Sequence, residues 1–154
     1  MVHGKWFPMG SDISLPISIR ESVFSRGRDQ LDDMAWQVAV FKDDAAVASA
    51  RLWWADGSFF VGDIGVLEAE RGNGFGDLLI RLLLFKALSH SANVISLDAP
   101  SDAVPFFQKY GFGASEPASA RMTILADDIM LSHCGGNCEG CKHQTDDCIP
   151  KALR

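Results

Sequence analysis

The sequence has one tyrosine, no cysteine before residue 134 and no uninterrupted apolar run of membrane-spanning length. Each scarcity excludes something. The richest apolar stretch is interrupted by Arg81 and Lys86, whereas a spanning helix needs about 20 apolar residues in succession. Basic residues are outnumbered: 14 Lys and Arg against 20 Asp and Glu leave a formal charge of −6, which argues against a general nucleic-acid binder. The opening "MVHGKWFPMG" lacks the charged-then-apolar pattern of a secretory leader, so a cytoplasmic location is expected. With one tyrosine, any chemistry that needs a phenol has a single candidate, Tyr110.

What is present is enough for one ordinary domain. A chain of 154 residues with 47% hydrophobic content can bury a substantial core. "SLPISIRESVFSRGRD" has helical apolar spacing at Ile17, Ile19, Val23 and Phe24, with Gly27 as a stop. "AWQVAVFKDD" alternates as a strand. "AVASARLWWADGSFFVGDIGVL" reads as two strands joined at Asp56-Gly57, the second running to about Leu67. Alternation along that second strand turns Phe60 and Gly62 to one side and Asp63 to the other. A long helix follows, then a short buried strand over Asn93–Leu97. "SDAVPFFQKYGF" is a second helix with Ser101 as N-cap and Gly111 as C-cap, and a further strand falls around Arg121–Leu125. The order predicts a mixed α/β layer around one sheet.

The most informative segment is Arg71-Gly72-Asn73-Gly74-Phe75-Gly76, between a strand and the long helix. Glycines allow a tight turn and close approach of a ligand. The first turn of a helix leaves its N–H groups unpaired at the positive end of the macrodipole. Together they form an anion cradle suited to a phosphate or pyrophosphate. The Walker pattern fails because no Gly-Lys-Ser/Thr follows. The dinucleotide pattern fails because Gly72, Gly74 and Gly76 are spaced G-x-G-x-G, after a hairpin strand.

"VLEAERGNGFGDLL" resembles the signature of the GNAT superfamily of N-acetyltransferases, with Arg71, Gly74 and Gly76 at the defining positions and Val66 at the strand end where the family splays two strands. "SLDAPSDAVPFFQKYGF" resembles the family's second region, with Ala103, Phe106, Lys109, Gly111 and Phe112 in register. "IRESVF" and "VASARL" are similar to the ElaA-like branch. The resemblance covers roughly residues 15–126 and implies a GNAT-type, mostly antiparallel sheet flanked by helices, in a domain over 1–130. It implies acetyl-CoA as donor, its pyrophosphate on amides of Arg71, Gly72, Asn73, Gly74, Phe75, Gly76 and Asp77, and its pantetheine arm along Ile64, Gly65 and Val66. The acceptor would be an amine on a small molecule or peptide. Dimers are common in the family, so a homodimer is among the expected states.

The reacting groups are less determined. The family tyrosine that protonates the leaving thiolate aligns with Phe107, which has no hydroxyl. Tyr110 lies one helical turn later, at a position that usually packs. For the base, Asp98 at a strand end is the candidate nearest the expected cleft, with Glu21 and Asp33 as further options and water relay as another route. Trp53, Trp54, Phe59 and Phe60 could wall an acceptor pocket or belong to the core. The missing hydroxyl raises an alternative function, a non-catalytic acetyl-CoA sensor.

Residues 131–154 form a tail of different character, "HCGGNCEGCKHQTDDC" holding Cys134, Cys138, Cys141 and Cys148. Four thiolates within 15 residues meet the ligand count of a tetrahedral zinc site, and the C-x3-C-x2-C run equally suits an iron–sulfur cluster. Disulfides and unligated thiols are the competing readings. A bound metal would staple the tail, or link the protein to regulation or a partner.

Overall fold

The structure, a computed structural model, describes residues 1–116 and 119–129. The cysteine cluster lies outside the described residues. Among the described ones, no group of three or more His, Cys, Asp or Glu is arranged to hold a metal ion, and no helix is long and apolar enough to cross a membrane.

The strands are β1 (Val2–Phe7), β2 (Ala35–Lys42), β3 (Ala45–Ala55), β4 (Ser58–Val66), β5 (Val94–Asp98), β6 (Gly113–Ala114) and β7 (Arg121–Leu125). The helices are α1 (Ser14–Phe24), α2 (Phe75–Ser89) and α3 (Val104–Gln108). One sheet runs in the order β1-β2-β3-β4-β5-β7-β6. Every pairing is antiparallel except β4–β5. This is the mixed α/β architecture that the sequence implies, extended by β1 and β6, which its pattern did not suggest.

The two faces of the sheet are separated by simple alternation. Val38 and Val40 of β2 pack in the main core with Leu79, Ile80, Leu83 and Leu84 of α2, while Ala39 between them packs with Ile13 and Ile17 on the α1 side. The α2 residues recur at helical spacing and are essentially fully buried, each worth roughly 1.5–3 kcal/mol of apolar burial.

Three local readings of the sequence are corrected. Helix α1 stops before Gly27: Ser25 takes the left-handed conformation (φ 55°) and its N–H bonds the Glu21 carbonyl. Ser101 does not cap α3, whose N-cap is Ala103 with no side-chain bond. Gly111 does end that segment: at φ 102° its N–H bonds the Gln108 carbonyl and the Phe112 N–H bonds the Phe107 carbonyl, a Schellman-type reversal.

The third correction shapes the site. Ser49 pairs with Gly65 and Arg51 with Gly62, so Asp63 and Ile64 stand opposite Ala50 alone. This is a β-bulge, and Asp63 occupies it at φ 51°. The simple alternation expected of β4 is broken there.

Candidate functional site

Strands β4 and β5 pair only at Phe59–Ile95 and Phe60–Ser96. Beyond those pairs they separate, and the backbone of β4 from Val61 onward has no β5 partner. A parallel pair that opens after two residues leaves a row of main-chain groups facing a gap. The gap is a cleft of about 260 Å³, lined on the β4 side by Gly62, Asp63 and Ile64 and on the other by Leu97, Asp98 and Phe107. Phe24 and Arg26, from the end of α1 and the turn after it, also line it and are exposed.

At the far end of β4 lies a second pocket of about 280 Å³, lined by Val66, the glycine loop and, from the α3 segment, Phe106 and Lys109. Here the glycine loop, expected from the sequence to cradle an anion, meets the start of α2. Gly74 is the N-cap of α2 in the left-handed conformation (φ 83°) and contributes no side-chain bond to the helix end. The Gly74 carbonyl accepts from Leu78 N–H at 3.0 Å, so the amides of Phe75, Gly76 and Asp77 belong to the first turn, which has no acceptors within the helix. A Cβ at Gly74 would meet nothing within 4 Å, which means the space before the helix end is open. The loop is braced from behind: Arg71 Nε donates to the Val66 carbonyl at 3.1 Å and Asn73 Nδ2 to the Glu70 carbonyl at 3.1 Å.

Ile64 lines the cleft and Val66 lines the cradle, so β4 connects the two. At Gly65 between them a Cβ would lie 2.9 Å from the Phe24 ring, so a side chain there would force that ring to shift. The adjacent phenylalanines divide in the same way, Phe107 in the cleft and Phe106 in the cradle, with rings edge to face at 5.1 Å.

Tyr110 is directed elsewhere. Its hydroxyl donates to Asp77 Oδ1, while Arg81 Nε donates to Asp77 Oδ2 at 2.8 Å, and Tyr110 lines neither pocket. Burial and the Asp77 carboxylate push the phenol above its ordinary pKa. Burial alone would raise Asp77, but the bonds from Tyr110 and Arg81 outweigh it and hold the carboxyl below its usual range. A negative group in the first turn is thereby neutralised by its own neighbours, leaving Arg71 and Lys109 as the cations of the cradle.

Asp98 does reach the cleft. It is 62% exposed and paired with Arg121, Nε to Oδ1 at 2.6 Å, while the Arg121 guanidinium lies over the Phe60 ring at 4.8 Å. Glu21 is exposed, and Asp33 is exposed and paired with Arg28. Trp53 stacks on Phe60, and Trp54 meets Phe59 edge to face, none of the four lining the cleft.

An ionic cluster that no sequence pattern signals lies behind the cleft wall. Between α1 and the sheet, Arg20 donates to both oxygens of Asp32 (2.8 and 2.9 Å) and to Gln37 (3.0 Å). Arg51 donates to both oxygens of Asp29 (2.6 and 2.9 Å) and to Asp32 (3.2 Å). Asp63 closes the cluster, with Arg51 Nε at 2.7 Å, Arg20 Nε at 3.6 Å and a bond from Arg26. Burial by itself would raise Asp32, yet the bonds from Arg20 and the Asp29 amide hold it far below the ordinary carboxylate range. Opposite charges inside apolar surroundings persist only when paired this fully. A run of Asp and Arg around a turn reads in sequence as a solvated face; only the tertiary packing reveals that half of it is inside.

The profile of the acetyltransferase (GNAT) family matches residues 12–112, spanning both pockets. Among curated sequences, the chain is 28% identical over 102 residues to the uncharacterized N-acetyltransferase YjcF from Bacillus subtilis, covering 61% of this chain and 73% of the relative. Among solved structures it is similar in fold to Escherichia coli ElaA, with a TM-score of 0.65 at 21% identity, covering 80% of this chain and 97% of that one. A GNAT family acetyltransferase from Elizabethkingia anophelis, crystallised with acetyl-CoA bound, superposes equally well, with a TM-score of 0.65 at 14% identity over 80% of this chain and 97% of the other. The glycine cradle, the parted strands and a family match over well over half of the chain lead to one conclusion: the protein belongs to the GNAT family of acetyltransferases.

Proposed function

We propose that this protein moves an acetyl group from acetyl-CoA to a primary amine of a small molecule or peptide. The observation that carries the reading is the continuity of cradle, β4 edge and cleft. A pyrophosphate on the amides at the start of α2 directs a pantetheine arm along Ile64–Val66, and that arm ends in the cleft beside Asp98 and Phe107. The acetyl-CoA held by the Elizabethkingia protein of the same fold supports the choice of donor.

In the reaction, the amine nitrogen attacks the thioester carbonyl, a C–N bond forms, the C–S bond breaks and CoA leaves as its thiolate. Main-chain N–H groups on the unpaired edge of β4 are positioned to polarise the carbonyl oxygen. Asp98, exposed at the cleft, takes the proton from the amine directly or through water. Phe107 has no proton to give the thiolate, which water then supplies. A CoA thiolate is a good leaving group, so the missing donor slows this step without preventing it. The same Phe107 favours a second reading, in which the protein binds acetyl-CoA without turnover. The two are separated by measuring CoA release with acetyl-CoA across polyamines, amino acids, aminoglycosides and peptides. Acetylated product supports the enzyme; tight acetyl-CoA binding with no product from any amine supports the sensor.

A further inference from the structure

The two walls of the cleft differ in the hydrogen bonding they have left to offer. On the α1 side the carboxylate is surrounded by cations: Asp63, whose side chain is 7% exposed, accepts from Arg26 and forms ion pairs with Arg51 and Arg20 through its buried Oδ2, which has no hydrogen-bond partner among the described residues. Arg20 and Arg51 are themselves buried and tied to Asp32 and Asp29. Arg26 differs from both, being 54% exposed where it lines the cleft. Only its Nη2 is engaged, with Asp63, and its other nitrogens have no partner among the described residues. The Phe24 ring, 5.5 Å from the guanidinium carbon, holds the group in orientation. A guanidinium donates and never accepts, and its flat fork matches a carboxylate. The opposite wall is the reverse. Asp98 accepts from Arg121 at 2.6 Å and, more weakly, at 3.4 Å, and its exposed oxygens keep lone pairs free for an amine.

One wall therefore donates and the other accepts. We infer that Arg26 is a specificity-determining residue and that the acceptor is of the amino-acid class, carrying a carboxylate beside its amine: the carboxylate meets Arg26 and the amine meets Asp98. The inference rests on the cleft being the acceptor site proposed above. It also accounts for the fixing of Arg26, because a pre-oriented guanidinium loses less freedom when it binds.

The test uses matched pairs of amines differing only in the carboxylate: an amino acid with its amide, and lysine with cadaverine. The kcat/KM ratio within each pair is measured for the wild type, Arg26→Gln and Arg26→Lys. In parallel, calorimetry in the presence of CoA measures binding of the N-acetyl amino acid and of its amide. The wild type should favour the carboxylate member by about tenfold or more, the scale of one charge-assisted hydrogen bond. Arg26→Gln should bring the ratio towards one, and Arg26→Lys should restore part of it. Turnover with no preference for the carboxylate, or a preference that survives Arg26→Gln, overturns the inference and leaves the acetyltransferase reading intact. Arg26-dependent binding of the carboxylate without turnover of any amine upholds Arg26 as the residue that selects a carboxylate ligand, and overturns the acetyl-transfer reading and with it the acceptor role of that ligand. Neither turnover nor Arg26-dependent binding overturns both.

Discussion

The hydroxyl of Tyr110 donates to the carboxylate of Asp77, joining the segment after α3 to the first turn of α2. The two residues are 33 positions apart, and their bond lies beside the glycine-loop pocket, which Asp77 lines, rather than in the cleft. The chain's single phenol thus braces the helix whose first turn follows the glycine loop.

This brace predicts that Tyr110→Phe costs about 1 kcal/mol of stability, the scale of one partly buried hydrogen bond, and lowers kcat by less than about threefold. Denaturant melts and steady-state rates check both. A fall of about 100-fold in kcat with stability unchanged would place the hydroxyl in the chemistry instead.

Gly74 and Gly76 should separate backbone strain from cradle occupancy. Gly74 holds φ 83°, so Gly74→Ala should lose about 1 kcal/mol of stability and also weaken acetyl-CoA binding. At Gly76, within α2, the added Cβ meets only the Phe106 ring at 3.6 Å, so Gly76→Ala should keep or slightly raise stability. Its methyl group still narrows the cradle, and acetyl-CoA affinity should fall by about tenfold. Thermal melts and calorimetric titration of both variants check this. Unchanged affinity in both would mean that the glycine loop does not hold the nucleotide.

The buried cluster predicts the acid response. Asp32 has its folded pKa depressed below the unfolded value, so its contribution is present above the unfolded pKa and is lost as pH falls through the folded one. Wild-type stability should therefore drop steeply below about pH 4, near the ordinary aspartate value. Asp32→Asn should be destabilised by about 3–5 kcal/mol at neutral pH, because it leaves Arg20 and Arg51 short of a buried counter-charge, and its stability should vary less with pH in the acid range. Urea melts from pH 7 to pH 3 give both slopes.

Phe107→Tyr places a hydroxyl in the cleft, where none of the described lining residues carries one. If protonation of the departing thiolate limits the rate, kcat should rise by about 10-fold, within the range of general acid catalysis. An unchanged kcat in single-turnover experiments would assign the slow step to amine deprotonation or product release.

The parts of the fold legible in the sequence were those whose signals are local. The Asp56-Gly57 hairpin, the glycines before α2 and the apolar face of α2 each carry their pattern within a dozen residues. The strand β1 was not legible, because an edge strand with exposed Val2 and Lys5 lacks alternation, and the contact of Gly4 with Leu82 joins it to a distant helix. The bulge at Asp63 was missed for a related reason: strand periodicity assumes regular pairing, and only the register against β3 shows that Ala50 faces two residues. That missed bulge is what brings Asp63, and through it Arg26, to the cleft.

The most direct measurement is a titration of the isotopically labelled protein with CoA, following backbone amide chemical shifts. If the first turn of α2 holds the pyrophosphate and β4 guides the arm, the largest shifts will fall on Gly72–Asp77 and on Val61–Val66, with β1 and the far end of α2 unmoved. No saturable shifts at Gly74, Phe75 and Gly76, or shifts concentrated away from the parted strands, would contradict the assignment of this cleft to acetyl-CoA.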